Sequence, residues 1–188
     1  MEFTPKLIAG ALLFIGAAKF MVLLIVAEAL FPGYSVSANY ISDLGVNPAS
    51  AWIFNSAILF FGALAILASY FTFRAFGDKL FSALLALSGI GAAGVGIFTE
   101  SALSIHLLVA TTAFLFGGLS AIATYRIAKP PFSWFSAILG LFSLVALALQ
   151  LSGNYLGLGV GGMERMVAYP ILIWAVAFGG YLMESSKS

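Results

Sequence analysis

Six apolar stretches, at about 7–31, 50–73, 80–98, 103–125, 133–152 and 165–183, follow one another along the chain with short polar breaks between them. Crossing about 30 Å of hydrocarbon takes roughly 20 helical residues, and each stretch is of that length. A spanning backbone must satisfy its own hydrogen bonds, which selects helices. The polar/apolar alternation of a transmembrane barrel is absent. The pattern therefore predicts an all-α, polytopic bundle of six transmembrane helices, a single domain over residues 1–188.

Composition strengthens that reading. Of 188 residues, 62% are hydrophobic and 8% charged, with mean hydropathy +1.10. A soluble domain has about 45–50% apolar and about 25% charged residues. A net charge of +1 gives no basis for a nucleic-acid partner. Without Cys, disulfides, thiolate metal sites and thiol catalysis are excluded. The first apolar run, Leu7 to Val26, exceeds a signal-peptide core of about 7–15 residues. Although Ala27-Glu28-Ala29 imitates a cleavage site, the run is expected to be a retained span.

Orientation follows from Lys and Arg. With the N-terminus cytoplasmic, the inner segments hold Lys6, Arg74, Lys79, Arg126, Lys129 and Lys187, and the outer face holds only Arg165. Positive charge marks the inside, so both termini are expected in the cytoplasm of a multi-pass cell-membrane protein. Lys19 alone remains within a span. A mid-membrane Lys normally faces the bundle or a water-filled cavity; the other readings are a snorkelling or structurally paired side chain.

The connections differ by face. Arg74–Lys79 and Arg126–Phe132 are tight inner turns. The outer Pro32–Ser50 loop is long enough to need structure of its own. Ser35–Leu44, followed by Gly45, predicts a short capped helix with Val36, Tyr40, Ile41 and Leu44 apolar. Asn47-Pro48 predicts an N-cap and first residue for span two. The last outer loop, Gly153 to Met163, is Gly-rich and expected to be mobile. A weak repeat relates Phe61–Tyr70 to Phe116–Tyr125 and Phe81–Leu85 to Phe135–Leu139, suggesting duplicated hairpins of spans 2-3 and 4-5, an arrangement known in transporters. Gly89-Ile90-Gly91-Ala92-Ala93-Gly94 imitates a dinucleotide fingerprint but lies inside a span, without the strand that the fingerprint requires. Its small face, Gly89, Ala93 and Gly96, instead predicts close helix packing. Trp52 and Trp134 near span ends read as interface anchors.

Apart from Glu2, Asp78 and Glu184, the acids gather at the outer face: Glu28, Asp43, Glu100 and Glu164, joined by the only His, His106. At 1.5 Å per residue, His106 sits about 5–8 Å below the start of span four. Asn39, Ser42, Asn47, Asn55, Ser101, Ser104, Asn154 and Arg165 add polar atoms at similar depth. Three chemistries fit. Asp43, Glu100, His106 and Glu164 form a donor set for a divalent metal such as Zn, which would activate water. The same groups suit general acid–base catalysis when burial separates their protonation. An acidic vestibule would also draw cations towards a pore. Singly, each group has a local explanation too, as Glu164 does beside a positive helix N-terminus.

Asn39–Gly45, Ile53-Phe54-Asn55, Gly96–Glu100 with His106, and Glu164-Arg165 with Pro170 together resemble the uncharacterised "domain of unknown function 998" family along essentially the whole chain. Thr99 stands where the family commonly has Pro. Ile41-Ser42-Asp43-Leu44-Gly45 is more distantly similar to an element of the DRAM-like and GPI-lipid-remodelling membrane proteins. The first resemblance implies a six-helix fold and marks Ser42, Asp43, Asn55, Glu100, His106, Glu164 and Arg165 as motif positions. It implies no reaction.

The leading expectation is a membrane-embedded hydrolase or transferase acting on a lipid or lipid-linked group. Asp43, Glu100, His106 and Glu164 would be catalytic, with Arg165, Asn39, Ser42 and Asn55 binding substrate and Arg165 taking phosphate or carboxylate. A small-solute or cation transporter with Lys19 in its path is the alternative. A structural or accessory subunit, its cluster fully paired internally, is the third.

Overall fold

The computed structural model describes residues 3–186, and so excludes Glu2 and Lys187 of the charge pattern. Its helices are α1 (Pro5–Leu30), α2 (Ala51–Phe76), α3 (Lys79–Ile97), α4 (Leu103–Ala123), α5 (Phe132–Leu151) and α6 (Gly159–Ser185), with 3-10 turns at Ser42–Gly45, Glu100–Ala102 and Thr124–Arg126. All six helices are long and apolar enough to cross a membrane, and the described residues contain no sheet. Each helix packs on its neighbours in chain order, and α6 closes back onto α1. The result is a ring with two unlike ends. One end carries the tight turns; the other carries the 31–50 and 152–158 connections.

Small residues let the helices approach. A Cβ on Gly62 of α2 would lie 2.6 Å from the Gly89 oxygen of α3, one on Gly140 of α5 would lie 2.5 Å from the Gly118 oxygen of α4, and one on Gly10 of α1 would lie 2.6 Å from the Gly179 oxygen of α6. Backbones this close gain van der Waals contact that larger side chains would prevent. The glycines in and just after the false fingerprint divide between two neighbours. Gly89 and Gly96 face α2, whereas Gly91 and Gly94 face α4, because α3 is wedged between the two.

At the turn end, local chemistry fixes each break. Thr4 caps α1 ahead of Pro5, accepting from the Leu7 amide at 3.2 Å. Gly77 ends α2 in the left-handed conformation (φ 68°), and Asp78 opens α3 by accepting from the Phe81 amide at 2.9 Å. Arg126 reaches Asp78 at 2.7 Å, tying two turns together. Phe81, Trp174, Phe178, Phe132 and Tyr181 pack ring against ring inside this end. Trp174 is anchored by a 2.9 Å bond from Nε1 to Thr124. The exposed Trp52 and Trp134 sit at opposite ends of the bundle.

Three sequence expectations at the loop end need correction. No helix covers Ser35–Leu44; only Ser42–Gly45 closes, as a 3-10 turn. Local side chains hold the backbone in turns instead. Asn39 accepts from the Ser35 amide at 3.1 Å and Asp43 from the Tyr40 amide at 3.0 Å, an instance of local polar side chains competing with the helical ladder. Asn47 caps a separate turn, accepting from the Ala49 amide at 2.9 Å, and α2 starts only at Ala51. The last helix also begins earlier than its apolar run. Gly159–Met163 is helical rather than loop, because Gly161 lies directly under the first loop. Its amide donates to the Ser37 carbonyl at 3.1 Å, and a Cβ there would sit 2.6 Å from the Val36 oxygen.

Candidate functional site

The loop docked on α6 delivers its polar groups inward. Asp43 is held by the Tyr40 amide and by Asn39 Nδ2, both at 3.0 Å. Its neighbour Ser42 donates to Glu100 Oε1, and the Ile41 amide donates to Glu164 Oε2. Glu100 opens the turn before α4, where its carboxyl also lies within hydrogen-bonding reach of Asp43. One short loop thus binds acids from two other elements.

His106, in the first turns of α4, is 4% exposed. Its Nδ1 lies 2.8 Å from the Phe98 carbonyl. A carbonyl only accepts, so Nδ1 carries the proton and Nε2 is left as an acceptor. The ring borders a cavity of about 350 Å³ together with Tyr40, Ser42, Glu100, Gln150 and Glu164. The wall otherwise comes from α4 and α5, and its rim residues Leu103, Leu107 and Leu151 are exposed on the outside of the bundle. The chamber thus lies between the outer ends of α4 and α5, with exposed leucines at its rim. A second cavity, of about 50 Å³, shares Ser42, His106, Phe114 and Glu164 with the first, and a third of about 50 Å³ continues past Phe20, Phe114 and Leu172.

The segments that meet here, Asn39–Gly45, Glu100, His106 and Glu164, are those carrying the family-like motif. A profile described as a protein of unknown function (DUF998) matches residues 14–181. The chain belongs to the DUF998 family. No curated protein and no solved structure matches it.

In this DUF998 chain several expected site residues have other work. Arg165, expected to bind an anion, is 4% exposed and spends its guanidinium internally. It donates to Glu28 at 2.5 Å, Tyr34 at 2.6 Å, and the Val36 and Gly161 carbonyls at 3.0 and 2.8 Å. Burial pushes the Tyr34 phenol up to about 12 against the pull of that guanidinium. Adjacent helix positions point about 100° apart, so Glu164 faces the cavity while Arg165 pins the loop to α1. Asn55 donates to the Gly45 carbonyl at 2.9 Å and buttresses the turn from below. Asn39 likewise orders the loop. Neither Asn borders the chamber.

The expected metal set does not assemble: among the described residues no three of His, Asp and Glu are grouped to hold an ion. Asp43 and Glu100 are in contact, but Glu164 is engaged by the Ile41 amide and His106 by Phe98. Lys19 is also elsewhere. It is exposed on the outside of α1, its Nζ 3.7 Å from the centre of the Phe60 ring, and it borders none of the three cavities described. In this DUF998 fold Lys19 thus lies on the outer surface of the bundle.

Two lining residues escaped the sequence reading. Gln150 has its Oε1 buried without a hydrogen-bond partner, and it was the one amide in the apolar run of α5. Tyr40 counted as part of an apolar face. In the fold its phenol, pushed up to about 12 by burial and then by its bond with Tyr155, stands at the chamber wall.

Proposed function

We propose that this protein is a membrane-embedded hydrolase or transferase that acts on a lipid or other amphiphile at the non-cytoplasmic leaflet. The orientation rests on Lys6, Arg74, Lys79, Arg126 and Lys129, all at the turn end, which positive charge assigns to the cytoplasm. The six helices act as one domain, and the similar glycine contacts of α2–α3 and α4–α5 accord with duplicated hairpins. The observation that carries the proposal is the chamber of about 350 Å³ between the outer ends of α4 and α5, on which His106, Glu100 and Glu164 converge. Lipid enters such a chamber from the side without leaving the bilayer.

The chemistry suits cleavage of an ester or amide. His106 Nε2 takes a proton from water or an acceptor hydroxyl as its oxygen bonds to the carbonyl carbon. The C–O or C–N bond then breaks, and the departing oxygen or nitrogen takes a proton held between Asp43 and Glu100. Ser42 and Asn39 keep that pair in place. The Nδ1 bond to Phe98 fixes the ring so that Nε2, not Nδ1, does the work.

The test is reconstitution of the full chain in vesicles holding a diacyl phospholipid, an N-acylated sphingoid lipid and a lipid-linked sugar, with products followed by mass spectrometry. Release of an acyl group, lost in His106→Ala and Glu100→Gln while the protein stays monodisperse, is the expected result. Unchanged lipids, combined with flux of a small cation that the same substitutions stop, would replace the enzyme by the transporter.

A further inference from the structure

We infer that the chamber selects amphiphiles with a positively charged head, such as a primary or quaternary amine, and rejects anionic heads. This rests on the reading of the chamber as the substrate site and adds the charge of what enters it. Glu100 and Glu164 border the chamber, and Asp43 interacts with Glu100. No Lys or Arg borders it. Each cation among the described residues that might have neutralised it is placed elsewhere. Arg165 turns both its terminal nitrogens to Glu28, Tyr34 and two carbonyls, leaving only its buried Nε unpartnered, and Lys19 lies over Phe60 on the outside of the bundle. Lys6, Arg74, Lys79, Arg126 and Lys129 belong to the opposite end.

Carboxyls in a low-dielectric site with no Lys or Arg in direct contact take up a proton unless a cation is present, so a ligand that brings positive charge is favoured over one that brings negative charge. An anionic head would add repulsion to burial. Unspent polar capacity lies beside the same space: His106 is almost wholly buried with no hydrogen bond to Nε2, and Gln150 lines the chamber, its Oε1 buried behind the surface without a partner. An acceptor of this kind suits the N–H of a primary ammonium, whereas a quaternary head relies on charge and on aromatic faces. Tyr40 and Phe114 add aromatic faces, which attract ammonium groups. Below them the two smaller cavities are almost entirely apolar, walled by Phe20, Ile58 and Phe114, and offer room for part of a chain.

The experiment uses the full chain in phosphatidylcholine nanodiscs and three dodecyl photoprobes carrying the same diazirine, with trimethylammonium, phosphate or maltoside heads. Labelled peptides are quantified by mass spectrometry. The ammonium probe is expected to label the 103–111 segment of α4 at least about tenfold more than the phosphate probe. Glu164→Gln, which keeps an acceptor for the Ile41 amide, reduces that preference, and Gln150→Lys reverses it. Labelling of other lipid-facing helices stays equal among probes and variants, which controls for folding and partitioning. Equal labelling by the ammonium and phosphate heads, or preference for phosphate, overturns the inference. Should the charge preference fail while lipid turnover persists, only the head-group assignment falls. Preference without turnover upholds it and removes the enzyme.

Discussion

The two ends of this bundle solve the same problem, closing a ring of helices at a water boundary, in opposite ways. At the turn end, glycine, aspartate and stacked aromatic rings complete the structure locally. Its ion pair, Arg126 with Asp78, is half exposed on the arginine side. At the loop end, the pair of Arg165 with Glu28 is buried, and the loop that it fixes holds acids above a chamber. Exposed pairs contribute little, whereas a buried charge whose partner is removed is strongly destabilising. The difference teaches that polar residues at one end complete a fold, while those at the other are held in place around empty space.

That comparison breaks most readily at His106. His106→Ala should lower turnover by about 10²–10⁴-fold, the usual contribution of a positioned acid or base, with little change in thermal unfolding. If turnover survives, the chamber is not a catalytic site. Next in size, Arg165→Met leaves Glu28 buried and unpaired and should destabilise the protein by about 3–5 kcal/mol. Glu28→Gln with Arg165→Met should recover part of this, as read by unfolding in mild detergent. A single variant as stable as the parent would mean that the loop is not fastened through this pair. At the other end, Phe178→Ala opens the aromatic stack and should cost about 3–5 kcal/mol. It should nevertheless leave photolabelling of the chamber unchanged, which separates scaffold from site.

The smallest effect belongs to Asp78. The Phe81 amide and then the Arg126 guanidinium hold its carboxyl below the usual value. A depressed acid contributes stability that is present above its unfolded pKa and fades as pH falls through the folded one. The contribution should therefore vanish in strongly acidic solution. A double-mutant cycle of Asp78→Asn and Arg126→Gln should give about 0.2–1 kcal/mol at neutral pH, measured by denaturation at two pH values. A coupling as large as that of Arg165 with Glu28 would erase the contrast between the ends.

Much of this was legible without coordinates, because membrane burial writes itself into sequence. Spans must be apolar and about 20 residues long, so six helices could be counted and their tight turns placed. Glu100, His106 and Glu164 were visible as rare polar groups near span ends, and the motif tied them to the loop. The Ser35–Leu44 helix was misread because apolar spacing is silent about side chains that capture backbone amides, as Asn39 and Asp43 do. The start of α6 was missed because its glycines look like loop until the Val36–Asn39 backbone is seen resting on Gly161.

The sequence by itself determined the class of the protein, the number of its helices and the end at which its acids collect. Hydropathy and charge are properties of single residues read in order. Only the tertiary structure decided which polar groups are consumed and which stay available. Arg165 turns to Glu28 and Lys19 to Phe60, while His106 Nε2, Gln150 and Glu164 are left around the chamber. Those outcomes depend on helix rotation and on contacts between residues more than a hundred positions apart, which no local pattern encodes.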